Sequence, residues 1–375
     1  MNHQFSLFDL LILIGIIQGI ITGVLLLNSK KNKRSNKYLA LALFSFCFLS
    51  TKPLLHTLQL WDTKLFRFFP NAIELILSPL IYFYIRSLVN PKFHFKTKFW
   101  LHFVPFFLSQ TYAFIVYFSA LRVNDFSQKD SIAKNLHFND IKQLDEYVLL
   151  ISLALYLFYG YKELINYKKW LDNTTSDSSF PDFKWLKDIF GLSTIIGVFL
   201  VINHSLDIFL DLKSRSIIHY DLLMLFISFV IYYLGLKGYL QPDFSFIRSE
   251  TNADNKTDVA LSVVKVKEIK VLLSKAMEED KVFLNPKLTI KELSAILNVP
   301  QREVSICINK HFKLSFREFI NNYRVEEVKS KLKDKDFSHM SILGIALECG
   351  FNSEASFYRV FKKNTGISPK EYLQQ

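Results

Sequence analysis

Apolar runs of about twenty residues recur through the first 240 positions of this 375-residue chain and then stop. A membrane crossing needs about 20 consecutive, mostly apolar residues. Seven segments meet that condition: 7–27, 38–58, 69–89, 99–121, 147–167, 189–210 and 218–240. Lys52 and Pro53 interrupt the second of them. The pattern predicts an all-α bundle of seven transmembrane helices, because a helix satisfies its own backbone in lipid. A composition of 50% hydrophobic residues with 37 Phe excludes a disordered chain and a disulfide scaffold. The first segment has no basic residue ahead of it and no small-residue cleavage site after it. It reads as a retained span and not as a signal peptide.

Charge sets the expected orientation. Loop 28–37 carries Lys30, Lys31, Lys33, Arg34 and Lys37 with no acid, and loop 90–98 carries Lys92, Lys96 and Lys98. Loop 168–188 is also rich in lysine, whereas loop 122–146 holds more acids than bases. Basic loops stay on the cytoplasmic side. The N-terminus is therefore expected outside and residues 241–375 in the cytoplasm of a bacterial inner membrane. Within the first span Gly15, Gly19 and Gly23 are four residues apart, a spacing that lets helix backbones approach closely. Packing within the chain is the preferred reading, ahead of a dimer contact.

That orientation brings several polar residues of the spans to one depth, near the outer face: Lys52, His56, Glu74, Asn203, His204, Asp207 and Asp221. Ionisable groups in a bilayer usually face a partner or a wet cavity. Taken singly, each is better explained by snorkelling or by simple pairing, as for Lys52 with Glu74. Together they predict a sensing cavity for a small polar or amphipathic ligand, with aromatic walls from Tyr82, Tyr112 and Phe199.

Residues 241–262 lose the apolar pattern and read as a cytoplasmic linker, followed by a soluble helical domain over 263–375. A stripe at Val259, Val263, Val266, Leu273 and Met277 predicts an amphipathic helix joining the last span to that domain. It is the expected route between the two halves. Two helix-turn-helix patterns then follow in tandem. The first runs Thr289–Leu297, a turn at 298–300, then 301–312, with Ile290, Leu293, Ile296 and Leu297 expected on the inner face. The second runs Ser341–Cys349, a turn at 350–352, then 353–364, with Phe357 and Phe361 plugging its core. Between them an amphipathic helix covers about 315–333. Gly350 suits a left-handed turn and Ser353 an N-cap. Cys47, Cys307 and Cys349 fit neither a metal site nor a disulfide pattern and read as small apolar side chains.

These residues resemble the AraC/XylS-type transcription-regulator domain over roughly 267–373. The likeness rests on Ile345-Ala346 ahead of Gly350-Phe351, on Phe357 before Arg359-Val360-Phe361-Lys362, and on Thr365-Gly366 with Pro369 and Tyr372. The resemblance implies two helix-turn-helix units on a connecting helix, with recognition helices in successive major grooves about 34 Å apart. It places base-reading positions at Arg302, Ser305 and Ile306, and at Glu354, Ala355, Tyr358 and Arg359. Asn309, Lys310, Lys362 and Lys363 are expected on phosphate. Ile306 departs from the polar residue expected there. The membrane half resembles, in architecture alone, the seven-span sensory portions fused to such domains in bacterial regulators.

The leading expectation is a membrane-embedded regulator that senses a signal and binds double-stranded promoter DNA. The alternative is a transporter or channel with an attached regulatory domain. No phosphate loop, H-E-x-x-H or G-x-S-x-G motif is present, so no catalytic residue, metal ligand or cofactor is expected. His3, His94 and His102 stand alone near span ends. Expected partners are the lipid bilayer, an unidentified small ligand, RNA polymerase and a second copy of the chain.

Overall fold

The computed structural model describes residues 5–90, 93–177, 183–210, 218–241, 261–337 and 339–374. Among them the chain is all-α, its one β feature being an isolated bridge between Thr175 and Thr289. It divides into two compact units. One holds residues up to 164 together with 183–245; the other holds 165–182 together with 246–375. The Val259 end of the expected stripe and nearly all of the expected linker lie outside the described residues.

The first unit contains α1 (Leu7–Asn28), α2 (Lys33–Leu49), α3 (Thr51–Thr57), α4 (Leu77–Val89), α5 (Val104–Leu121), α6 (Phe126–Asn135), most of α7 (Phe138–Thr174), α8 (Phe183–Leu210) and α9 (Ile218–Tyr239). Six stretches are long and apolar enough to cross a membrane: α1, α2 with α3, α5 with the 3-10 turn before it, α7, α8 and α9. The stretch expected at 69–89 behaves differently. Residues 69–73 are not helical, and a 3-10 turn at Glu74–Ile76 leads into the 13-residue α4. Pro70 explains the late start, since it lacks an N–H and restricts its predecessor. Gln110 then serves the open backbone, donating to the Pro70 carbonyl at 2.8 Å and accepting from the Ala72 N–H at 3.2 Å.

α1 begins at a capping box in which Ser6 and Asp9 satisfy each other's backbone. It is apolar on every side: Ile12 and Leu26 are buried while Ile14, Ile17 and Ile21 are exposed. Its glycines pack within the chain, as preferred. A Cβ on Gly15 would lie 2.8 Å from Ser228 Cβ of α9, one on Gly19 would strike Ile231 and Cys47, and one on Gly23 would come 2.5 Å from the Phe44 ring of α2. Three helices therefore meet through one small-residue stripe.

The second unit contains the end of α7 and then α10 (Val263–Glu278), α11 (Ile290–Leu297), α12 (Gln301–Ile306), α13 (Phe316–Lys333), α14 (Ile342–Glu348), α15 (Glu354–Thr365) and α16 (Pro369–Leu373). It has two cores, and α13 serves both. Phe316, Phe319 and Ile320 enter the first core with Leu273, Leu293 and Val304. Val325 and Val328 enter the second with Ala346, Phe357 and Phe361. Two expectations fail at the margins. Val263 is 86% exposed and Ile296 53% exposed, because the inner faces of α10 and α11 are already filled by Val266, Ile269 and Leu293. All three cysteines are buried free thiols.

Candidate nucleic-acid interface

Apart from α12, the helices of the tandem pair start where a side chain satisfies a first free N–H group. Thr289 caps α11 in a capping box with Glu292, Ser315 caps α13 with Glu318, and Ser353 caps α15. Asn298, at φ 51°, closes α11 and turns the chain into α12. Pro300 sits at the N-cap of α12, and a single π turn, Cys307–His311, continues it. That turn buries Cys307 and Ile308 and leaves Asn309, Lys310 and His311 exposed.

The second unit turns at Gly350, which two constraints fix. Its φ is +89°, and a Cβ there would meet the Phe283 carbonyl at 2.7 Å and the Leu284 carbonyl at 2.9 Å. Those carbonyls belong to the loop before the first helix-turn-helix, so Gly350 is where the two helix-turn-helix halves of this unit are sewn together. Arg324 lies at the same seam and is 1% exposed. Its guanidinium donates to the carbonyls of Phe283 and Asn285, both at 2.8 Å, and to Ser176 Oγ at 3.0 Å. Burial pulls its pKa down to about 10. The C-terminal motif has equally local reasons. Gly366 caps α15 at φ 82°, Pro369 opens α16, and the Tyr372 ring packs 5.6 Å from Phe361.

The expected base-reading residues fall on α12 and α15. Glu354, Ala355 and Arg359 are exposed on α15, with Tyr358 half-buried beside them. No carboxylate among the described residues forms an ion pair with Arg359. Arg302, Ser305 and Ile306 are half-buried on α12. Asn309 donates to Ser305 Oγ at 3.2 Å, so the first unit presents a joined polar pair. Lys310 and Lys362 are exposed. Lys363 reaches Glu318 Oε1 at 2.7 Å, which ties α15 to the start of α13. The hydrogen bond from Lys363 and that from the Ser315 N–H hold the Glu318 carboxyl down at about 2.

The polar residues expected in the spans are only partly gathered. Lys52, Glu74, Asn203 and His204 line one cavity of about 360 Å³ within the first unit, and Lys52 pairs with Glu74. His56, Asp207 and Asp221 do not line it. Asp207 instead accepts from His219 Nε2 at 3.1 Å and from the Tyr220 hydroxyl, fastening α8 to α9. Asn203 donates to the His219 carbonyl at 3.1 Å. Of the expected aromatic walls Tyr82 is in place; the Tyr112 hydroxyl donates to the Leu136 carbonyl, and Phe199 stacks on Phe226. Lys142, Asp145, Glu146 and Tyr220 line the cavity although sequence reasoning passed over them. The first three lay in what read as a loop, and α7 begins at Phe138. A heptad-like spacing of Lys142, Glu146, Leu149 and Leu153 was the available signal.

A family model described as a helix-turn-helix domain matches residues 293–375. The chain is 32% identical over 88 residues to the HTH-type transcriptional regulator YijO of Escherichia coli, covering 24% of this chain and 30% of that protein. It is 32% identical over 85 residues to the melibiose operon regulatory protein of E. coli, covering 23% and 27%. It is 33% identical over 88 residues to the HTH-type transcriptional regulator YtdP of Bacillus subtilis, covering 24% and 11%. The chain thus spans less than a third of each of these relatives, all of them named as regulators and not as enzymes. No solved structure matches it. The C-terminal segment, residues 293–375, is a helix-turn-helix domain of the AraC type.

Proposed function

We propose that the chain is a membrane-embedded one-component transcriptional regulator. The observation that carries this reading is the joining, in one chain, of an AraC-type tandem helix-turn-helix to a bundle of six long apolar helices. In this reading α12 and α15 lie in successive major grooves. Arg302 and Arg359 pair with guanine edges, and Glu354 accepts from cytosine. Asn309, Lys310 and Lys362 hold phosphate, and Lys363 joins them where DNA displaces its exposed pair with Glu318. A second copy of the chain, or paired promoter sites, supplies the surplus of specific over non-specific binding. RNA polymerase is the protein partner at the promoter.

The bundle senses, and its site includes Lys52, Glu74, Asn203 and His204. The basic loops put the N-terminus outside and the DNA-binding unit in the cytoplasm of a bacterial inner membrane. The 3-10 turn and α4 complete a third crossing, giving seven. The test combines reporter fusions with promoter binding. Fusions at residues 33, 95 and 178 should report cytoplasm and one at 130 the outside. The full chain in lipid nanodiscs should bind its promoter specifically, and Glu74→Gln should leave that affinity intact while abolishing the response to signal. A cytoplasmic report at 130 contradicts the topology; a wild-type response from Glu74→Gln removes Glu74 from sensing.

A further inference from the structure

We propose that the cavity of the bundle takes a single-chain amphiphile with a cationic, hydrogen-donating headgroup, an inference that rests on the sensing reading above. Three helices change character along it in the same direction. On α7 the lining passes from Lys142, Asp145 and Glu146 to Leu149, Leu153 and Leu157. On α8 it passes from His204 and Asn203 back to Leu200, Ile196 and Ile189. On α9 it passes from Tyr220 to Leu223, Met224 and Ile227. From Lys142 to Leu157 the helical rise is about 22 Å. The cavity is therefore charged at one end and mostly apolar over the rest, with Tyr82, Tyr156 and Phe190 among its aliphatic walls, a shape that suits a head and a tail. At about 360 Å³ it lies near the small end of ligand pockets and has no room for a two-chain lipid.

The polar end specifies the head. Its carboxylates are Glu74, Asp145 and Glu146, and its ammonium groups are Lys52 and Lys142. The cavity thus sets three carboxylates against two ammonium groups. Glu74 is taken by Lys52, and Asp145 accepts from the Ser109 hydroxyl at 2.6 Å. His204 Nδ1 lies 3.0 Å from Glu146. A carboxylate only accepts, so Nδ1 donates to Glu146. Nε2 is buried and has no partner. An open ring nitrogen beside three carboxylates and two ammonium groups marks a place for a polar head, and an alkylammonium head supplies N–H donors to the carboxylates and the charge the two lysines leave unmatched.

The experiment uses the full chain in nanodiscs and a photoreactive alkylamine with its crosslinker in the tail. Adducts mapped by mass spectrometry should fall on Leu149–Leu157 and Leu223–Ile227. Decylamine should compete for them, and decanoate at the same concentration should not. Glu146→Gln and His204→Phe should each weaken competition at least tenfold, and Leu153→Trp should block labelling by filling the tail end. Equal competition by decanoate, or adducts spread over the lipid-facing surface, overturns the ligand class. If decylamine binds as expected and a promoter reporter does not respond, the ligand class stands and the sensing role falls.

A second inference comes from the other end of α7. We infer that the segment after this helix is a latch on the DNA-binding unit. Arg317, near the start of α13, pairs with Asp172 at 2.8 Å and donates to the carbonyls of Thr175 at 3.2 Å and Asp177 at 2.9 Å. Ser176 is fully buried; its N–H donates to the Leu288 carbonyl at 3.0 Å, and its hydroxyl donates there at 2.8 Å. Leu288 immediately precedes Thr289, the cap of the first helix-turn-helix. One unbroken helix, Phe138–Thr174, thus supplies cavity-lining residues to one unit and the latch to the other. Asp172→Arg should change reporter output at least fivefold and remove its dependence on signal, and Arg317→Asp in the same chain should restore both. A wild-type response from Asp172→Arg, or no rescue by the double exchange, overturns the latch.

Discussion

In the DNA-binding unit a buried charged residue is answered by acceptors of the fold itself, backbone and side chain; in the apolar bundle charged residues gather around a space. Arg324 shows the first arrangement, spending its donors on two carbonyls and a serine at the seam of two cores. Lys142, Asp145, Glu146 and His204 show the second, lining a cavity in which one imidazole nitrogen has no partner. The first pattern fixes a shape. The second leaves chemistry to be completed by something from outside.

The largest effect that would break the comparison is at the seam. Arg324→Leu strands two buried carbonyls and should destabilise the DNA-binding unit by about 3 kcal/mol. Hydrogen exchange over α14 and α15 should show the protection collapse while α1 and α9 stay protected. Retained protection in the second core would mean that the seam does not hold it.

Arg302→Ala and Arg359→Ala come next. Each should cost about 1–3 kcal/mol of promoter affinity and relax preference at one base position, measured by binding to a panel of single-base variants. Unchanged affinity for the best site removes that arginine from the base edges. Lys362→Ala should act differently, weakening all sequences alike and lowering the salt slope by about one. A base-specific loss from Lys362→Ala would move it from phosphate to the groove.

The smallest effect concerns Glu318. Its substitution by Gln keeps an acceptor for the Ser315 N–H but removes the ion pair with Lys363, and should cost about 0.5–1 kcal/mol. The pH dependence has a definite sign. Because the folded carboxyl is held down to about 2, its contribution is complete above the ordinary glutamate range and is lost as pH falls from there toward about 2. A thermal scan of both proteins between pH 2 and 6 should show the difference in stability closing at the acid end. A constant difference would mean that the Glu318 charge and its pair with Lys363 do not carry the effect.

How much could be read from the sequence follows the same division. The helix starts of the DNA-binding unit are written in single residues, Thr289, Ser315, Ser353 and Ser368, and the turns in Gly350 and Gly366; each has a local backbone reason. The long apolar helices were legible as apolar length, except at 69–73, where Pro70 and the side chain of Gln110 replace helix. The cavity was half legible. Lys142, Asp145 and Glu146 have the composition of a solvated loop, and only the early start of α7 turns them inward. Arg317 and Arg324 gave no signal, because an arginine held by chain-distant groups looks in sequence like any surface arginine: Asp177 is 140 residues from Arg317, and Ser176, Phe283 and Asn285 are 148, 41 and 39 residues from Arg324. The stripe from Val259 to Met277 was expected to join the halves; of its described residues Val266, Leu273 and Met277 pack into the first core of the DNA-binding unit, and α7 supplies a second connection.

The central claim is that DNA is read by a chain that remains in the membrane. It is tested most directly by crosslinking cells, isolating inner membranes and sequencing the DNA recovered with the full-length protein. The account predicts discrete promoter sites in the membrane fraction, lost when Arg302 and Arg359 are both replaced by Ala. Recovery of the same sites only with a soluble C-terminal fragment, or no enrichment of any promoter with the full-length chain, would contradict it.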